Sequence, residues 1–249
     1  MLYFLQIRCD VPQGSILGPL LFIIYINVIV KWSYLFQFIM FADDTNLFAS
    51  HSNVDELLKI VNQEIAKISN WLKINKLSLN VEKTHCIIFH NRQKKIHLGS
   101  KIFINSVIIE QVSFTKFLGV RINENLNWSN QISAIIAKIS KNLGIIWRVA
   151  RVLPSEVLYS LYHTLISPYL DYCNIVCASY NSTFFHNLFR TQKKAIRLIN
   201  NSPWNTHVSP LFYKSGILKL HDITTFQLLA LCINPSLVYH PCLFSLSLF

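Results

Sequence analysis

The feature that most constrains this chain is a pair of adjacent carboxylates, Asp43 and Asp44, set between two apolar runs at residues 36–42 and 45–49. Both runs have the length and composition of strands, and a two-residue connection predicts a hairpin with Asp43 and Asp44 at its tip. Neighbouring side chains of an extended strand point to opposite faces, so consecutive aspartates serve one site only where the backbone turns. Two negative charges held together at the edge of a core repel unless a cation lies between them, and hard carboxylate oxygens suit Mg²⁺. Two such ions about 3.5–4 Å apart clamp the attacking and leaving oxygens of a phosphoryl transfer. Asp-Asp is also an ordinary turn dipeptide, so the pair alone does not select that chemistry.

The surrounding pattern predicts an α+β chain. Val11-Pro12-Gln13-Gly14-Ser15 reads as a rigid turn leading into an apolar helix that runs to about Lys31. Residues 16–30 are short for a membrane span and contain Gly18, Pro19 and Asn27, which predicts a helix buried in a globular core. His51-Ser52-Asn53 predicts a cap for an amphipathic helix whose apolar face is Leu57, Leu58, Val61, Ile65, Ile68 and Leu72. Strands are expected over residues 83–89 and 114–120, with a hairpin of residues 102–104 and 107–109 around Asn105-Ser106. From Trp128 the period becomes helical, with Ile132, Ile135, Ile136, Ile139, Leu143, Ile146 and Trp147 in one stripe. Pro154 opens a second helix through Leu165, and Asn181 or Ser182 a later one through Asn200. Residues 235–249 lose all periodicity.

Lys and Arg total 23 against 12 Asp and Glu, a formal net charge of +11 in 249 residues. Such an excess suits a polyanionic partner, and equally a merely basic surface. Its distribution is more telling. On the helix from Ser182, Phe185, Leu188, Ala195 and Ile199 form an apolar face, with Arg190, Lys193, Lys194 and Arg197 opposite. Lys138, Lys141 and Arg148 stand likewise behind the isoleucine stripe, so both helices are expected to offer cations to a phosphate backbone. The cysteines are spread along the chain, and no basic n-region precedes the apolar residues at the N-terminus. Reduced thiols in an intracellular protein are therefore expected. Cys173 and Cys177 lack a second pair at metal-ligand spacing, which favours packing thiols over zinc ligands.

The run from Val11-Pro12-Gln13-Gly14-Ser15-Ile16-Leu17-Gly18-Pro19-Leu20-Leu21-Phe22 through Tyr25-Ile26-Asn27 to Phe41-Ala42-Asp43-Asp44-Thr45 resembles the reverse transcriptases of non-LTR (LINE or jockey-like) retrotransposons. The likeness continues through Trp71-Leu72-Lys73-Ile74-Asn75-Lys76-Leu77-Ser78-Leu79-Asn80-Val81-Glu82-Lys83-Thr84 and Phe117-Leu118-Gly119-Val120. It extends over Pro168-Tyr169-Leu170-Asp171-Tyr172-Cys173 and Gln192-Lys193-Lys194-Ala195-Ile196-Arg197, covering residues 11 to about 222.

The resemblance implies an RNA-directed DNA polymerase using an RNA template, a DNA primer and deoxynucleoside triphosphates. It implies Mg²⁺ or Mn²⁺ at Asp43 and Asp44, with Lys83 near the triphosphate. Pro12, Gln13, Gly14, Phe41 and Ala42 are implied in the nucleotide and template pocket, Phe41 packing beneath the turn. Phe117, Leu118 and Gly119 are implied in a primer grip. Residues 1–127 are then expected to be a partial palm with an antiparallel sheet, 128–222 a helical thumb-like region, and 223–249 a divergent tail.

The family's further catalytic aspartate lies on a strand upstream of the Pro-Gln-Gly motif, and Asp10 does not fill that place. Asp10, Val28 and Cys177 stand where the family commonly has Gly, Asp and Trp. These features imply an N-terminally truncated enzyme, inactive alone. The other expectations are a non-catalytic nucleic-acid-binding remnant and a decayed open frame without function.

Overall fold

The computed structural model describes residues 14–91, 93, 101–178 and 182–233, and the chain divides into two compact units. The first comprises residues up to Cys86 together with Gln93–Val112. The second comprises Ile87–Arg92 and everything from Ser113 onward. The pattern is a mixed α/β region of small sheets followed by an all-helical region, as the periodicity predicts.

In the first unit, α1 (Leu17–Ile26) continues as a 3-10 segment (Asn27–Trp32). Next come β1 (Gln37–Phe41), β2 (Asp44–Phe48) and α2 (Val54–Ile74). The α2 start has a clear physical cause. Asn53 lies in an extended conformation, and its side-chain oxygen accepts from the amides of Asp55 and Glu56. A cap of this kind contributes about 1 kcal/mol. The core gathers Ile26, Ile29, Phe36, Val61, Ile68 and Trp71, with Leu57, Ile65 and Leu72 half-buried at its margin. After a 3-10 turn (Val81–Lys83) come β3 (His85–Cys86), β4 (Phe103–Ile104), β5 (Val107–Ile108) and β6 (Glu110–Gln111). The β4–β5 turn, Asn105–Ser106, has φ of 50° and 66°, the type I′ pattern that matches strand twist.

Two expectations fail here. No single antiparallel sheet forms among the described residues. There are four separate strand pairs, and β3–β6 is parallel. The helix from residue 16 is not buried: Ile26 and Ile29 are, whereas Leu17, Leu20, Leu21, Ile23 and Ile24 are exposed. A helix apolar all round buries only the face that meets a neighbour. Among the described residues the opposite face of α1 meets none.

The second unit opens with β7 (Phe114–Phe117) and β8 (Val120–Asn123), an antiparallel pair where a single strand over residues 114–120 was expected. Then follow α3 (Ser129–Val149), α4 (Ser155–Leu165), α5 (Ser167–Asp171), α6 (Asn174–Ala178), α7 (Ser182–Ile199), α8 (Val208–Ser215) and α9 (Leu220–Ile233). Pro154 occupies the extended N-cap of α4, where its missing N–H costs nothing. Ile132, Ile139 and Ile146 of α3 are almost fully buried, and so are Ala195, Ile196 and Ile199 of α7. Cys173 and Cys177 are buried in the same core. Trp147, expected in the stripe, is instead 62% exposed.

Candidate active site and nucleic-acid interface

The carboxylate hairpin exists, with its tip moved by one residue. The register pairs Phe41 with Asp44, so the two turn residues are Ala42 and Asp43, and Asp44 begins β2. Ala42, at the first turn position, has a positive φ of 52°, and Asp43 does not share the sign. That position favours glycine, so Ala42 is held in a conformation an L-residue enters at a cost of about 1–2 kcal/mol. Both aspartates are exposed, and neither carboxylate has a hydrogen-bond or ion-pair partner among the described residues. Phe41, expected to pack beneath the turn, is 50% exposed.

Donor chemistry and donor number give different answers about a metal. Two free hard-oxygen carboxylates on one hairpin suit Mg²⁺ or Mn²⁺. Among the described residues, however, no group of three or more His, Cys, Asp or Glu side chains converges anywhere. The pair is chemically suited to a divalent ion and stands without a third donor among the described residues.

Of the remaining pocket residues, Gly14 is the first described one, at φ 88° with open space around its α-carbon. Pro12 and Gln13 lie outside the described residues. Lys83 was expected on a strand. It closes the 3-10 turn instead, its amide donating to the Asn80 side chain at 3.2 Å, and it is exposed.

Phe117, Leu118 and Gly119 belong to the β7–β8 hairpin in the second unit. Phe117 ends β7 and pairs with Val120, and Leu118 and Gly119 form the turn, with φ of 44° and 86°. A β-carbon added at Gly119 meets the Tyr172 ring at 3.9 Å, an ordinary contact. Glycine is therefore demanded by the backbone angle rather than by lack of room. The Leu118 carbonyl accepts a hydrogen bond from the Tyr172 hydroxyl, a relationship the sequence reading did not anticipate.

The cations of α3 and α7 split into two groups. Lys141, Arg148, Arg190 and Lys194 are exposed. Lys138 lies 5.2 Å from the Tyr169 ring centre and Lys193 lies 4.4 Å from that of Phe189, cation–π distances. Arg197 is half-buried, and its Nε donates to the Thr206 carbonyl at 3.0 Å. Glu124, Glu156, Asp171 and Asp222 are the only carboxylates among the described residues of this unit, and none pairs with a Lys or Arg. Unneutralised cations on two packed helices are what a polyanion requires.

Gln192 also went unread. It sits on the apolar face of α7 and is fully buried. Its amide nitrogen donates to the Tyr162 hydroxyl at 3.1 Å and the Leu218 carbonyl at 2.9 Å, and its oxygen accepts from the Leu220 amide at 2.9 Å. The signal was available: a polar residue standing in line with Leu188, Ala195 and Ile199.

Comparison with known proteins meets this geometry. Residues 3–122 match the family model described as "Reverse transcriptase (RNA-dependent DNA polymerase)". The chain is reverse-transcriptase-like. Among similar proteins is a retrovirus-related Pol polyprotein from the type-1 retrotransposable element R1 2 of Nasonia vitripennis. It is 25% identical over 56% of this chain and 35% of that protein. The RNA-directed DNA polymerase from mobile element jockey of Drosophila melanogaster is 22% identical over 87% of this chain and 24% of its own length. The probable RNA-directed DNA polymerase from transposon X-element of the same fly is 25% identical over 80% and 22%. The reverse-transcriptase-like chain thus spans about a third or less of these relatives. No solved structure matches it. Among the described residues no single helix is long and apolar enough to cross a membrane.

Proposed function

We propose that this chain is the palm-to-thumb portion of a non-LTR, jockey-like reverse transcriptase, a nucleotidyltransferase, and that the 249 residues alone do not extend a primer. The single observation that carries the reading is the order of its parts within the reverse transcriptase match. Pro12-Gln13-Gly14 comes first, then the hairpin with Asp43 and Asp44, then the Leu118–Gly119 turn. In this reading residues 1–127 act as partial palm and 128–222 as thumb-like helices, with α9 carrying the helical region past residue 223, the expected start of the tail, to Ile233. Asp43 and Asp44 would then hold divalent ions, which when bound would supply charge neutralisation to a transferring phosphoryl group. This chain's own contribution is to fix Asp43 in a tight turn and Asp44 beside it at the start of β2, neither paired with a cation among the described residues. The inactivity half rests on donor number, since no third carboxylate joins the pair among the described residues.

Primer extension on an RNA template, with Mg²⁺ or Mn²⁺ and all four deoxynucleoside triphosphates, tests both halves. The expected result is no incorporation by the chain alone, together with salt-sensitive binding of an RNA–DNA hybrid. Incorporation that disappears in Asp43→Asn overturns the inactivity half. Absence of hybrid binding at low salt overturns the polymerase reading.

A second reading is favoured by the unpaired cations of α3 and α7: a non-catalytic nucleic-acid-binding module. It predicts binding that is indifferent to Asp43→Asn and weakened by neutralising Lys141, Arg190 and Lys194.

A further inference from the structure

Where α3 and α7 end, the second unit carries an open recess of about 420 Å³. Trp147 and Arg151 line it from α3 and the turn that follows. Arg197, Asn201 and Ser202 line it from α7 and its cap. Trp147 is a large aromatic surface left 62% exposed at the recess. Arg151 is exposed and has no hydrogen-bond or ion-pair partner among the described residues. Arg197 uses its Nε on the Thr206 carbonyl, and its other guanidinium nitrogens have no partner among the described residues.

We propose that this recess seats a single-stranded nucleic-acid segment, with one phosphate between Arg151 and Arg197 and an adjacent unpaired base stacked on Trp147. The chemistry is specific to that ligand class. Two guanidinium groups match a phosphate by geometry and charge. An exposed indole beside them offers a stacking platform that paired bases cannot reach.

Helix polarity argues the other way, because two C-terminal ends meet here and each carries roughly half a negative charge. Two considerations outweigh it. The guanidinium charges are whole charges, and three of the nearby carbonyls are already engaged. The Val149 carbonyl accepts from the amides of Val152 and Leu153, that of Arg197 from Ser202, and that of Leu198 from Asn201. Asn201 holds φ at 49°, the left-handed cap that closes α7 and keeps the rim in place.

The inference rests on the nucleic-acid-binding reading above and adds to it a distinct site for unpaired bases. The test is equilibrium binding of the full chain to a short oligo-deoxyadenylate strand and, separately, to an RNA–DNA hybrid duplex. The strand is expected to quench tryptophan fluorescence. Trp147→Ala is expected to weaken strand binding about tenfold while Trp147→Phe retains most of it, as stacking on an aromatic ring requires. Arg151→Gln is expected to lower the slope of log K against log salt by about 0.7 for the single strand. Hybrid binding is expected to depend on Lys141 and Lys194 and not on Trp147. Undiminished strand binding by Trp147→Ala, alongside hybrid binding that falls on neutralising Lys141 and Lys194, overturns this inference alone. Failure of the parent chain to bind either probe overturns it together with the reading it rests on.

Discussion

The Tyr172 hydroxyl donates to the Leu118 carbonyl across 54 positions of sequence, tying the tip of the β7–β8 hairpin to the end of α5. Leu118 holds a left-handed φ of 44° in a two-residue turn, so the tie restrains a conformation that an L-residue leaves readily. Tyr172→Phe keeps the ring and removes the donor, and is expected to cost about 1 kcal/mol. Amide exchange read by NMR or mass spectrometry should then accelerate at Gly119 and Val120. Unchanged exchange there would show that the hairpin holds its turn without Tyr172.

The strain at Ala42 gives a gain-of-stability prediction. With φ at 52° in the first turn position, Ala42→Gly is expected to stabilise the β1–β2 hairpin by about 1 kcal/mol. Ala42→Val, β-branched, is expected to destabilise it by at least as much. The measurement is the shift in urea midpoint of each variant at constant m-value. A loss of stability in the glycine variant would contradict the turn assignment.

Gln192 makes three hydrogen bonds from a fully buried position, two by donation and one by acceptance. Gln192→Leu is nearly isosteric, and it strands the Leu220 amide, the Leu218 carbonyl and the Tyr162 hydroxyl. The expected cost is about 3 kcal/mol, as partners left unsatisfied lose more than an average bond is worth. Chemical denaturation measures it, and a change under about 0.5 kcal/mol would mean that water reaches these groups.

Two buried acids make the fold sensitive to alkali. Burial pushes the Cys177 thiol from its ordinary 9.0 up to about 12. Burial likewise raises the Tyr162 phenol from 10.0 to about 12, with a hydrogen bond from Gln192 pulling the other way and the Asp171 charge adding to the rise. In this range the native state keeps protons that the unfolded chain releases, so stability is whole below the ordinary values and falls as pH rises towards 12. Each group contributes a slope of about 1.4 kcal/mol per pH unit across its window. Cys177→Ala is expected to remove the part of the decline that begins near the ordinary thiol value, leaving the tyrosine part intact. Urea midpoints taken across that range decide it, and equal slopes for parent and variant would refute the assignment.

Local chemistry was the most legible part of this chain. Asn53 announced the start of α2, Pro154 that of α4, and Asn105–Ser106 the β4–β5 turn, because each acts through neighbours a few residues away. The Asp43–Asp44 hairpin was legible as a hairpin and misread by one position, since dipeptide composition does not fix register. Leu118–Gly119 was read as the inside of a strand because the apolar run continues across it. Only the left-handed angles reveal the turn. What stayed hidden was tertiary. The partner of Tyr172, the threefold engagement of Gln192 and the exposure of Trp147 depend on what packs opposite, which periodicity does not encode. The apolar run at Leu17–Ile26 shows the same limit, since hydrophobicity predicts a demand for burial and not its fulfilment.

The path of the chain between its two units has a consequence for synthesis. Ile87–Arg92 belongs with the helical unit, where the His90 amide donates to the Glu124 carbonyl at 3.1 Å, while the segment after it returns to the first unit. The backbone therefore passes from one unit to the other three times, and severing any one connection leaves them joined by the others. A ribosome delivering this chain from its N-terminus completes the first unit only once Val112 has emerged. Until Glu124 follows, the stretch around His90 waits without its partner, so the two units are interleaved in time as well as in sequence.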